Sequence, residues 1–192
     1  MLAVATFASV RSANRAARVA ELSLREQLRP VLVNSNLDDP VQKIMFAGGH
    51  WVTAAGGEAS VEAADGIVYL AISVRNVGSG IAALEGWHPW SELQYASQGP
   101  APPESFRSTT RDLLIPPGGM GLWQGALRDS SEDIHHQIGA AVSERRPFSI
   151  DVLYTDHVGA ERTISRFALI PGDDRWMTSV SKHWNLDRPG PP

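Results

Sequence analysis

Between residues 65 and 90 the hydrophobic positions recur at every second residue. Val68, Leu70, Ile72 and Val74 alternate with Ile67, Tyr69, Ala71, Ser73 and Arg75. This period of two puts an aliphatic row on one face of a β-strand and a mostly more polar row on the other, so the first row is the predicted core face. Asn76, Gly78, Ser79 and Gly80 follow. They tolerate positive φ and predict a turn or bulge. A second extended run at 81–84 leads into the aromatic cluster Trp87-His88-Pro89-Trp90.

Upstream, residues 1–28 hold no glycine or proline and are rich in alanine, leucine, arginine and glutamate, which predicts a long helix. Val10, Ala13, Ala17, Ala20 and Leu24 form an apolar stripe at spacings of three and four, with the arginines mostly off it. Pro30 ends the helix. Short strands are expected at 31–33, 44–46, 50–53 and 59–63, separated by polar loops and glycine pairs. Downstream of Trp90, Gly99, Pro100, Pro102 and Pro103 forbid regular structure. Strands are expected again at 111–115 and 121–127, joined by Pro116-Pro117-Gly118-Gly119. Ile134, Ile138, Ala141 and Val142 suggest a short helix within 130–146. Phe148, Ile150, Val152 and Tyr154 alternate with polar neighbours, and a turn at 156–159 makes this strand a hairpin with 161–170. From Asp173 onward the chain reads as a tail holding Trp176 and Trp184.

Many short strands punctuated by turns predict an all-β sandwich. The expected division is a basic N-terminal helix over 1–29, a β-sandwich domain over 30–185 and a disordered tail over 186–192. At 192 residues, 43% of them hydrophobic and 20% charged, the chain has room for one good core. It contains no cysteine, which excludes disulfides, thiolate nucleophiles and cysteine-bound zinc, and leaves the redox compartment open. A net charge of -4 argues against a general nucleic-acid binder. Lys43 and Lys182 are the only lysines, an arginine bias that suggests a GC-rich genome.

Charge is unevenly placed. Residues 1–29 hold five arginines against Glu21 and Glu26, a local +3 that leaves -7 for the remainder. The uncharged run MLAVATFASV precedes them. It is shorter than the roughly 20 apolar residues needed to cross a bilayer, and it lacks the basic start of a secretory signal. Two accounts stay open. The run is the end of a transmembrane helix whose beginning is absent from the sequence, or it begins a surface helix whose stripe packs on the domain or on another copy of itself.

Three stretches, VYLAISVRNVGSGIA, LLIPPGGMGLW and FSIDVLYTDHVGAERTISRF, resemble the immunoglobulin-like sandwich domains of bacterial surface and membrane-anchored proteins. In those domains a strand ending in Asn-x-Gly, a Pro-Gly turn and a Tyr-x-Asp-x-x-Gly hairpin recur in that order. The basic helix leading into RPVL resembles the juxtamembrane segment of such proteins. The resemblance implies an immunoglobulin-like β-sandwich preceded by a long amphipathic helix. It also favours the membrane-anchor account, and it brings no active site with it.

Candidate chemistry is sparse. Glu132, Asp133, His135 and His136 hold metal-ligand types, but adjacent histidines point apart on a helix or a strand and do not share an ion easily. Ser179 and Lys182 have the Ser-x-x-Lys spacing of penicillin-recognising enzymes without the companion motifs. Phosphate loop, dinucleotide fingerprint and nucleophile elbow are all missing from the sequence. The expectation is therefore a non-enzymatic interaction domain with no cofactor and no metal. Trp87, His88 and Trp90 are its candidate interaction surface, with a glycan-type ligand as the alternative function. Arg11, Arg15 and Arg18 are candidate contacts to a membrane surface on its cytoplasmic side; a membrane protein is the alternative partner, and self-association through the helix is the further expectation.

Overall fold

The structure is a computed structural model and describes residues 11, 13–20, 23, 28–109 and 113–187. Residues 13–20 form a short helix, α1, and all of them are exposed. Ala13, Ala17 and Ala20 of the predicted stripe therefore do not pack on the body of the protein. Val10 and Leu24 lie outside the described residues, as do the uncharged run at 1–10, most of the predicted long helix and the tail at 188–192. No helix among the described residues is long and apolar enough to cross a membrane.

The remainder is mainly β and is built outward from β5 (Ile67–Asn76). One edge of β5 pairs with β9 (Met120–Leu127). The other pairs with β4 (Glu58–Ala64) and, beyond it, with β1 (Leu32–Asn34). From β4 the ladder continues through β12 (Trp176–Asn185), β11 (Arg162–Pro171), β10 (Phe148–Asp156) and β6 (Ala82–Trp90). The short β7 (Arg107–Ser108) and β8 (Leu114–Ile115) lie on the far edge of β6. All of these pairings are antiparallel.

Val68, Leu70, Ile72 and Val74 are buried in one cluster with Trp123, Ile150, Val152 and Phe167. These residues come from strands far apart in the ladder. They share a core only because the sheet curls over on itself. The turn from β8 to β9 closes the curl, since it joins a strand on the β6 edge to one on the β5 edge. Helix α2 (Asp133–Ser143) seats Ile138 and Ala141 in the same cluster, across the end where β5 begins. The period-of-two reading of β5 thus gives the correct core face.

The other face of β5 is covered as well. The hairpin of β2 (Gln42–Met45) and β3 (Trp51–Ala54) brings Phe46, Val52 and Ala54 against Tyr69, Ala71 and Leu122. Ser73 is fully buried, and its hydroxyl is bonded to that of Ser35 at 2.7 Å.

Two expectations are corrected. The stretch from Asp173 is not a tail, because β12 takes ten residues of it into the middle of the sheet, between β4 and β11. Gly78 and Gly80 do not use positive φ. They are needed for close approach: a Cβ at Gly80 would lie 1.6 Å from the Leu28 carbonyl oxygen, and one at Gly78 would lie 2.3 Å from that of Arg29. The base of the N-terminal segment rests on these two glycines.

Candidate functional site

A bulge in β6 divides the aromatic cluster that the sequence groups together. Opposite β6, Leu153 pairs with Gly86 but Tyr154 pairs with Leu84, so Glu85 has no partner position. One extra residue reverses the faces taken by the side chains that follow. Trp87 consequently turns inward. It is 3% exposed and meets the ring of Trp123 edge-on at 5.4 Å, so it belongs to the core and not to an interaction surface. His88 and Trp90 turn to the outer face and are half-buried. Gly86 permits β7 to lie alongside, because a Cβ there would sit 3.0 Å from the Arg107 carbonyl oxygen.

His88, Trp90, Ser91, Arg107 and Gln137 line a groove of about 240 Å³ between β6, the 3-10 turn at Pro103–Ser105 and α2. His88 Nδ1 lies 3.2 Å from the Ser105 carbonyl oxygen and 3.0 Å from its hydroxyl. A carbonyl only accepts, so this contact assigns the proton to Nδ1 and leaves Nε2 as an acceptor. The Ser105 hydroxyl donates to the Pro102 carbonyl at 2.7 Å. Its proton therefore goes to the loop and not to the imidazole, which makes the pair a loop anchor in place of a nucleophile and base. Arg107 pairs with Glu132, and both side chains remain about one-third exposed.

Behind Trp90 lies a polar assembly that the sequence reading missed. Arg166 and Asp151 are both fully buried on the outer face of β10 and β11. Arg166 Nε and Nη2 donate to the two Asp151 oxygens at 2.6 and 2.8 Å. Its remaining donors reach the carbonyl oxygens of Gln98 at 3.2 Å and Gly99 at 2.9 Å. The guanidinium lies 4.8 Å from the ring of Trp184 and 5.4 Å from that of Trp90. Asp151 also accepts from Trp90 Nε1 at 3.1 Å and from the Ala101 backbone at 2.9 Å. The irregular stretch after Trp90 is thereby fastened over the sheet. Asp151 was the available signal, a carboxylate standing in an otherwise apolar strand.

A third polar group sits inside the curl, beneath β1. Ser165 Oγ is 2.7 Å from His183 Nδ1 and 2.9 Å from the Tyr154 hydroxyl, which accepts from the Leu32 backbone at 3.2 Å. Burial pushes the Tyr154 phenol up, against the opposing effect of its bond to Ser165. Burial pushes the His183 imidazole down, helped by the charge of Arg29. Both are therefore neutral near pH 7. Ser165 is fully buried and has no open face.

The other candidates fall as follows. The rings of His135 and His136 are perpendicular, with centroids 5.5 Å apart, and His135 Nε2 donates to the Gly66 carbonyl at 2.9 Å. Among the described residues no group of three or more histidine or carboxylate side chains is placed to hold a metal ion. Ser179 and Lys182 lie on β12, where the extended backbone does not put lysine one helical turn from serine. Arg11, Arg15 and Arg18 are all exposed. Neither a known protein-family model nor a curated protein matches this chain.

Proposed function

We propose that the chain is a non-enzymatic interaction domain with an immunoglobulin-like sandwich fold, held at an anionic membrane surface by a long basic N-terminal helix. The observation that carries this reading is the exposure of Arg11, Arg15 and Arg18 on a segment the body does not bury. The main polar clusters of the body are consumed by their own neighbours. Each arginine near an anionic leaflet contributes about 1 kcal/mol, and the attraction fades beyond a Debye length of about 8 Å at physiological salt. The anionic surface potential of the cytoplasmic leaflet supports an attachment with the body on that side. Flotation with phosphatidylserine vesicles tests the reading. Binding should fall with added salt and be lost in R11Q/R15Q/R18Q, whereas binding indifferent to both overturns it.

A second reading places a glycan-type ligand in the groove beside His88 and Trp90. It is favoured by the Nε2 acceptor and the partly exposed Arg107 beside an indole wall. Trp87 has no part in it. Titration of the protein with oligosaccharides should shift the amide resonances of Ser91 and Gln137 in the native chain and not in H88A. A native spectrum unmoved by every sugar removes this alternative.

A further inference from the structure

The strand register gathers three connections at one end of the sheet: residues 77–81, 116–119 and 157–160. Ala82 pairs with both Ile115 and Asp156, which puts the end of the first connection beside the starts of the other two. The buried side chain of Asn76 ties two of them together. Its Nδ2 donates to the Gly80 and Ile115 carbonyls at 2.6 and 3.0 Å, and its Oδ1 accepts from the backbones of Gly78 and Val31 at 3.0 and 3.1 Å. The Arg29 carbonyl accepts from Ser79 at 3.1 Å. The N-terminal segment therefore leaves the body at this same end.

The tips at this end are apolar, and the Arg75 guanidinium beside them, which donates to the Gly118 carbonyl at 2.8 Å, is paired with Asp39. Val77 is 57% exposed and Val158 is 68% exposed, and Pro116 and Pro117 are exposed beside them. Residues 77–81 and 116–119 contain no ionisable side chain. The carboxylates nearby are already engaged. Asp156 accepts from the Ala160 backbone at 2.7 Å, and Asp187 is held by Arg162 at 2.7 Å. The connections at the opposite end have another character and are densely charged: Asp129, Glu132, Asp133, Glu144, Asp173 and Asp174 stand there with Arg128, Arg145, Arg146 and Arg175.

We propose that this apolar end is the face that meets the lipid bilayer, with Val77, Pro117 and Val158 entering the headgroup region of the anionic leaflet. The inference rests on the membrane reading above and adds its orientation. A basic segment alone gives weak, reversible attachment, and stable attachment takes a second contact. Uncharged tips satisfy that requirement, because placing a charge at that depth is costly. The segment that carries the arginines starts from the proposed face, so both contacts belong to the same end of the molecule.

The absence of cysteine makes the test direct, since one introduced thiol takes one environment-sensitive fluorophore. The full chain carrying Val77→Cys or Val158→Cys, labelled with a nitrobenzoxadiazole dye, should show a blue shift on phosphatidylserine vesicles. Tyr95→Cys, exposed on the loop away from this end, should show none. Val77→Glu with Val158→Glu should weaken vesicle partition about tenfold, and Tyr95→Glu should leave it unchanged. If the chain binds through its arginines while the dyes at 77 and 158 stay in water, the orientation falls and the membrane reading survives. If the native chain does not bind vesicles, both fall. A blue shift at 158 in concentrated protein without lipid assigns this end to a second copy and overturns the proposal, as does an equal shift at 95.

Discussion

Arg166 spends its donors on one carboxylate and the loop carbonyls of Tyr95, Gln98 and Gly99, and its side chain is fully buried. Removing one member of a fully buried ion pair leaves the other charge uncompensated. Arg166→Met should therefore cost about 3–5 kcal/mol in urea unfolding. The exposed Arg146–Glu144 pair makes the comparison, and Arg146→Met should cost less than about 1 kcal/mol. Equal losses would mean that the clamp is not closed in solution. His183 gives a pH signature of a different kind. Its folded pKa lies below the ordinary 6.5 because burial and Arg29 disfavour its charged form. The unfolded chain then binds the proton more readily, so the stability it contributes is complete above about pH 6.5 and is lost as pH falls below that value. The melting temperature should drop between pH 7.5 and 5.5, and His183→Gln should flatten the drop. Ser73 shows how far a sequence pattern reaches. Alternation gave its face correctly, but not that a hairpin covers that face, so Ser73→Ala should cost about 1–3 kcal/mol beside about 2–5 for Leu70→Ala.

Among the elements, the strands with strong alternation were readable and those with bulges or polar partners were not. β5 and β10 each present an unbroken apolar row, and both were placed with their core faces correct. β6 defeats the same rule at Glu85, where one unpaired residue sends Trp87 inward and Trp90 outward. The one local signal for that bulge is Gly86, since an isolated glycine inside a strand marks a bulge or a close approach. β12 was missed because its second half faces Ser165 on one side and the Arg166 clamp on the other, so its own residues are polar and aromatic without an apolar period. The candidate groove suffered from the same bulge, and the loop fastening behind it joins residues too distant in sequence to be paired by inspection. Gly80 offers a test at this scale. Gly80→Ala would put a methyl group 1.6 Å from the Leu28 carbonyl oxygen and should lift residues 28–31 off the body. Limited thermolysin digestion at the Val31–Leu32 bond should become faster, while the far-ultraviolet circular dichroism of the sheet is retained. An unchanged digestion rate would show that the contact does not hold the segment.

For the whole molecule, the shared core predicts one cooperative transition. Trp87, Trp123 and Trp176 belong to the cluster that joins the two ends of the ladder, so tryptophan fluorescence and circular dichroism should report coincident unfolding midpoints. A separated early transition would point to the β2–β3 hairpin, which is held by its own smaller cluster. The position of β12 has a consequence for how the protein is made. A ribosome delivers β4 long before β12, and the seat between β4 and β11 stays empty until the last of these strands emerges. Throughout that interval the nascent chain carries two unsatisfied strand edges in the interior of its future sheet, where other proteins expose only their rims. Shielding by a chaperone, or slow release from the exit tunnel, then matters more for this chain than for one in which a strand made so long after its neighbour lies at a rim. A nonsense mutation after Pro171 would not trim an edge. It would leave two half-sheets with no strand to join them.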